Sequence, residues 1–181
     1  MKLETDIKTI KRLTKVKEDE NLSFRSFLKS GDISSQKIDL IAHKIYEQII
    51  TRIDCKTCAN CCKVSETLLS EQDIAVLAAH LKLSQTEFEA QHVVNNEDGK
   101  KKLAKTPCFF LRGNVCSIYD SRPAECRSFP HIQDKSLLPR LIRLIHNCEV
   151  CPVVFNLYEE LKKEIWSMND SFEDPEDEED L

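Results

Sequence analysis

The sequence predicts a mainly α-helical chain with one small β-hairpin and a disordered acidic C-terminal tail. Apolar residues recur at helical spacing in several segments, with helix-opening signals at their starts. Only one pair of short strand-like runs brackets a turn. The last twelve residues hold eight acids and no Lys or Arg, too few apolar groups to pack. At 181 residues, 41% hydrophobic and 31% charged, the chain fits one domain with small additions.

The elements follow in order. Residues Lys2 to Lys17 place Leu3, Ile7, Ile10, Leu13 and Val16 near a helical period, with basic residues between them on a solvated face. Ser34 or Ser35 caps a helix over roughly Gln36 to Arg52, with Ile38, Ile41, Ile45, Ile49 and Ile50 as its stripe. Ser70-Glu71-Gln72-Asp73 opens Ile74 to Leu81, and Ser84-Gln85-Thr86-Glu87 opens Phe88 to Val94. In each, the Ser accepts from a first-turn amide and the acid three residues on reaches back. Asn95 to Lys102 reads as a solvated turn. Phe109-Phe110-Leu111 and Val115 to Tyr119 read as strands around Arg112-Gly113-Asn114. Ser121 to Pro130 is a Pro-bracketed loop or single helical turn. Cys151 and Pro152 start the last helix, which runs through Val154, Leu157, Leu161 and Ile165 to about Met168.

Composition excludes several functions. Three glycines, Gly31, Gly99 and Gly113, cannot write a Walker loop or a dinucleotide fingerprint. The longest clean apolar stretch, Ile74 to Ala79, is far short of a bilayer span, so no membrane association is expected. Net charge is −5; without the tail, 23 acids face 26 bases, too slight an excess to argue for nucleic acid. The opening MKLETDIKTIKRLTKVKEDE has no apolar signal core, so a cytoplasmic location with reduced thiols is expected.

Nine cysteines carry the functional reading: Cys55, Cys58, Cys61, Cys62, Cys108, Cys116, Cys126, Cys148 and Cys151. An odd count suits a disulfide framework poorly, and clustered reduced thiols bind metal or do redox chemistry. In Cys55-x-x-Cys58-x-x-Cys61-Cys62, a two-residue gap lets two thiolates reach one metal, as in zinc and iron–sulfur sites. Three cysteines at successive two-residue gaps also begin a bacterial ferredoxin run. If the chain is extended there, Cys61 and Cys62 point to opposite faces and serve different centres, or one is structural. Cys55/Cys58 and Cys148/Cys151 lie about 90 residues apart, outside finger spacing, so any site is assembled by the tertiary fold. Two four-thiolate centres with one spare thiol, or one centre with several, both fit the count.

Thr106-Pro107-Cys108-Phe109-Phe110-Leu111, then Val115-Cys116-Ser117-Ile118-Tyr119-Asp120-Ser121-Arg122-Pro123-Ala124-Glu125-Cys126-Arg127-Ser128-Phe129-Pro130, complete a pattern. With the CxxCxxCC run before it, this stretch resembles the YkgJ-like cysteine-cluster family, described as a zinc- or iron-chelating domain. The resemblance covers roughly Cys55 to Pro152 and implies metal binding without naming a reaction. Flagellin lysine N-methylases resemble the same group but are longer, and no added domain for a methyl donor and a protein substrate stands out here.

All nine cysteines are therefore the candidate metal ligands. Residues 34–169 are expected as the cysteine-cluster domain, 1–33 as a helical extension and 170–181 as the tail. Anionic thiolate centres call for nearby cations, and Lys56, Lys63, Arg112, Arg122 and Arg127 each lie close to a cysteine in sequence. Arg127 reads as a donor toward the centre or as a surface charge. Arg122 reads in the same way, or as a cap on the Tyr119 to Cys126 turn. His131 and His146 are further ligand candidates, though thiols are already in surplus. Phe109, Phe110, Phe129, Phe155 and Trp166 read as core.

The expected function is a metal-binding protein with an iron–sulfur cluster preferred to zinc, in a structural or electron-transfer role. A protein-modifying enzyme of the methylase kind, a thiol redox sensor and a metal-handling protein are the rivals. A protein partner is open.

Overall fold

The structure is a computed structural model and describes residues 1–134 and 136–170. The acidic tail expected over 170–181 lies, from 171 onward, outside the described residues. In chain order the helices are α1 (Ile7–Val16), α2 (Glu18–Lys29), α3 (Ser35–Ile50), α4 (Cys55–Cys58), α5 (Asn60–Val64), α6 (Glu71–Leu81), α7 (Gln85–His92), α8 (Ala124–Ser128), α9 (Leu141–Cys148) and α10 (Pro152–Asp170). Strands β1 (Val93–Asn95) and β2 (Lys101–Leu103) pair antiparallel, as do β3 (Leu111–Arg112) and β4 (Val115–Cys116). One-turn 3-10 helices cover Tyr119–Ser121 and Leu138–Arg140. The chain is thus mostly helical, with two small strand pairs rather than one. Among the described residues, no helix is long and apolar enough to cross a membrane.

Contacts divide the described chain into two compact units, 1–50 with 136–170, and 51–134. In the first, α10 packs against α3, α9 and α1. Ile10, Phe24, Leu28, Ile38, Ile45, Ile49, Leu141, Leu157, Leu161 and Ile165 are all sealed from solvent. The edges of Tyr158 and Trp166 meet Phe24, with ring centroids at 5.5 and 5.0 Å. Ile10 is the buried residue of α1, whereas Val16, placed in the same stripe from sequence, is 72% exposed. Six residues on from Ile10, it has turned well off the inward face. Asp6 caps α1, accepting from the Thr9 amide at 2.7 Å. Ser34 caps α3 through the Lys37 amide at 3.3 Å.

A buried charge sits in this unit. Lys162 donates to Asn21 Oδ1 at 2.9 Å and to Glu159 Oε1 at 2.6 Å, and also to Glu20. Tyr158 donates to the Asn21 carbonyl at 3.0 Å. The buried ammonium is thus met by Asn21, buried with it, and by two carboxylates nearer the surface, which offsets the cost of burying a lysine.

In the second unit the core is Leu69, Ile74, Leu77, Ala78, Phe88, Leu103, Phe110 and Ile118, with Cys108, Phe109 and Cys116 half-buried against it. Both expected capping boxes form: Ser70 with Asp73 opens α6, and Ser84 with Glu87 opens α7. The second helix stops at His92, because Val93 to Asn95 turns extended and pairs with Lys101 to Leu103. The expected solvated turn is therefore only the loop of a hairpin.

Candidate metal centre

Two one-turn helices present the cysteine run. Asp54 opens α4, its carboxylate accepting from the Lys56 amide at 2.9 Å. Ala59 then takes φ +48°, and its amide donates to the Cys55 carbonyl at 3.2 Å. A left-handed alanine costs about 1–2 kcal/mol, and here it lets α5 begin at once in a new direction. Cys61 and Cys62 therefore stand on a helical turn, about 100° apart rather than on opposite faces. They are hydrogen-bonded to each other through their side chains. The extended-chain premise that split them between two centres is thus corrected.

Three more segments of the same unit bring their thiols to this run. The Cys108 amide donates to the Cys62 carbonyl at 2.8 Å. Cys116 lies in β4, paired with Leu111 across the hairpin. Asn114, in the turn of that hairpin, donates to the Thr57 carbonyl at 3.1 Å and so ties it to α4. Cys126, on α8, has its sulfur 3.7 Å from the Thr67 hydroxyl. Cys55 is exposed, and Cys58, Cys61, Cys62, Cys108, Cys116 and Cys126 are half-buried.

Electrostatics makes Cys62 the common neighbour. Its thiol is pulled down to about 6 by the hydrogen bond from Cys61, with the charges of Arg122 and Lys63 helping against burial. The Cys62 charge is felt at three other thiols. Burial pushes Cys55 up, with Cys58, Asp54 and Cys62 adding to it while Arg122 opposes. Burial likewise raises Cys108, with Cys62 and Cys116 adding. Cys126 is raised to about 11 by burial first and by Cys62, Cys108 and Cys116 after it.

The thiols are neighbours and not a formed cage. Among the described residues, no three His, Cys, Asp or Glu side chains are grouped so that they could hold a metal ion. The donor chemistry nevertheless suits a thiophilic metal: seven sulfurs lie in one unit, backed by cations and by an apolar floor.

Of those cations, Arg122 fills two expected roles. Its Nε donates to the Tyr119 carbonyl at 2.9 Å, its guanidinium lies 3.7 Å from the Tyr119 ring centroid, and its charge reaches Cys55 and Cys62. Arg127 donates to the Arg122 carbonyl instead, and its charge reaches Asp73. Lys56 Nζ lies over the same Tyr119 ring, 4.7 Å from its centroid.

The remaining candidates fall elsewhere. Cys148 and Cys151 are buried and belong to the other unit, where the Cys148 thiol donates to the Leu144 carbonyl at 3.4 Å. Burial pushes the Cys148 thiol far up. His146 is exposed on α9. His131 is buried with its ring nitrogens on Glu125 at 3.2 Å and Asp134 at 3.1 Å. Thr67 and Asp73 touch the site without having been legible as part of it. Asp73 reads in sequence only as a cap, and the partner of its second oxygen is fixed by the fold.

Comparison with known families gives one match. The family model CxxCxxCC, described as "Putative zinc- or iron-chelating domain", matches residues 54–152, more than half of the chain. No curated protein and no solved structure matches, and nothing among these comparisons shows the methylase relationship.

Proposed function

The chain belongs to the CxxCxxCC family, and from that premise we propose that it holds an iron–sulfur cluster on the thiols around Cys62. The carrying observation is that the Cys55 to Cys62 run stands on two one-turn helices, with Cys108 held to the Cys62 carbonyl at 2.8 Å and the Cys116 hairpin tied to α4 through Asn114, so that the Cys62 charge bears on Cys55, Cys108 and Cys126 as well. The ligand pool is Cys55, Cys58, Cys61, Cys62, Cys108, Cys116 and Cys126; Cys148 and Cys151 fall inside the matched stretch but are buried in the other unit and stand outside this pool. Seven thiols in one unit supply the four that either centre uses, and the Cys55-x-x-Cys58-x-x-Cys61 spacing, which begins a ferredoxin run, favours a cluster over a single zinc. When bound, such a cluster supplies either cross-linking of the fold or one-electron transfer.

The chain's own residues prepare the place. Arg122 and Lys63 lower the cost of gathering thiolate charge at Cys62. The Cys62 carbonyl fixes Cys108, and the hairpin turn fixes Cys116 against α4. Phe110 and Ile118 close one side against water, which strengthens every charge interaction inside. Cys62→Ser in the full chain, purified without oxygen, tests the reading. Loss of most bound iron and acid-labile sulfide is expected; wild-type content in this variant would overturn it.

A further inference from the structure

We infer that Asp73 is a positioning residue for the metal centre, acting through the helix that carries Cys126; this rests on the cluster reading above. The chain builds the same capping box twice and uses only one of them for something more. In α7, Glu87 accepts from the Ser84 amide at 2.8 Å and its hydroxyl at 2.6 Å, and it lies fully on the surface. In α6, Asp73 does the same with one oxygen, accepting from the Ser70 amide at 3.0 Å and its hydroxyl at 2.7 Å. Its other oxygen accepts from the Ala124 amide at 2.9 Å, 51 residues away in sequence.

Ala124 is the first residue of α8, and its amide has no partner within that helix. A single carboxylate thus joins the start of a core helix to the start of a ligand helix. Asp73 is only 7% exposed, so the carboxylate is largely held from competing solvent. α6 is itself anchored by Ile74, Leu77 and Ala78 in the core. α8 buries no residue of its own. The rigid element therefore positions the loose one, and Cys126 rides two residues beyond the joint. On its far side, the Thr67 hydroxyl holds the Cys126 sulfur at 3.7 Å, from a segment bound to β2 by the Leu103 amide. Orientation of a ligand by a hydrogen-bonded carboxylate behind it is a general device of metal sites.

Ala124→Pro removes the donor, and its ring carbon takes the place of the amide hydrogen and pushes the Asp73 oxygen away, so the joint is broken from the α8 side. Pro fits the first position of a helix, and the Ser70 contacts are made by the other Asp73 oxygen. Asp73→Ala removes the acceptor, and Glu87→Ala removes the other box as a control. Each is made in the full chain, isolated without oxygen and loaded with ferrous iron and sulfide. The readouts are the visible and electron-paramagnetic spectra and the rate of iron loss to a ferrous chelator. Ala124→Pro and Asp73→Ala are expected to lose iron at least about tenfold faster with altered spectra, and their combination to lose it no faster than either alone. Glu87→Ala is expected to match wild type in both. Should Asp73→Ala fail to fold, Ala124→Pro decides. A loaded Ala124→Pro chain with the wild-type spectrum and rate would overturn the role of Asp73 while leaving the cluster standing. A wild-type chain that takes up no iron would overturn both.

Discussion

Replacing Lys162 with Met is expected to destabilise the first unit by about 2–4 kcal/mol. Breaking one side of a fully buried ion pair costs about 3–5 kcal/mol, because the surviving charge is stranded. Here the stranding is partial. Glu159 keeps Lys17 as a partner and is 18% exposed in its side chain, and Glu20 is 41% exposed and rehydrates. Asn21, 2% exposed, loses the donor to its side-chain oxygen and carries most of the penalty, about 1–3 kcal/mol for an orphaned buried acceptor. The apolar stem of Met restores the packing that the lysine methylenes supplied. At about 2–4 °C per kcal/mol for a chain of this size, the melting temperature should fall by roughly 5–15 °C.

The effect carries a pH signature. Burial pushes the Glu159 carboxyl up, but hydrogen bonds from Lys162 and Lys17 outweigh it and hold the group below its ordinary value. A depressed acid contributes stability that is full above its unfolded value, about 4.3, and is lost as pH falls through the folded one. The gap between wild type and Lys162→Met should therefore be widest near neutrality and shrink in acid. Far-UV circular dichroism melts at pH 7 and pH 3.5 measure it. A variant melting within about 2 °C of wild type at pH 7 would refute the reasoning, as would a gap that widens in acid.

Two further outcomes are expected. Gly113→Ala should cost about 1–2 kcal/mol purely through its backbone, since φ is +60° and no atom lies within 4 Å of the added carbon; an unchanged denaturation midpoint would contradict this. Arg122→Ala should speed iron loss to a chelator by about tenfold, with Arg122→Lys between it and wild type because the charge survives and the fork over Tyr119 does not; equal rates in all three would remove Arg122 from the site.

Elements whose signals are local were legible in the sequence. The capping boxes of α6 and α7, the Ser34 cap of α3 and the Pro152 start of α10 all rest on contacts within a few residues. The helices α2 and α9 were not. Neither has a side-chain cap, and α2 places only Asn21, Phe24 and Leu28 inside. The β1–β2 hairpin hid because its pairing is settled by the core contact of Leu103, which no local pattern announces. At the site, the pool of thiols and the attendant cations could be read directly. That Cys62 stands among the others could not, since Cys108 and Cys126 reach it only through the fold. The relative direction of Cys61 and Cys62 is hidden as well, because one residue, Ala59, adopts a left-handed turn and lets a helix start where the sequence suggests extended chain.

The most direct test of the central claim is one anaerobic preparation of the wild-type chain, measured for visible absorption, iron, acid-labile sulfide and zinc together. A cluster on the thiols around Cys62 predicts a brown protein with iron and sulfide in equal amounts and little zinc. A colourless protein holding stoichiometric zinc, or no metal at all, would contradict it.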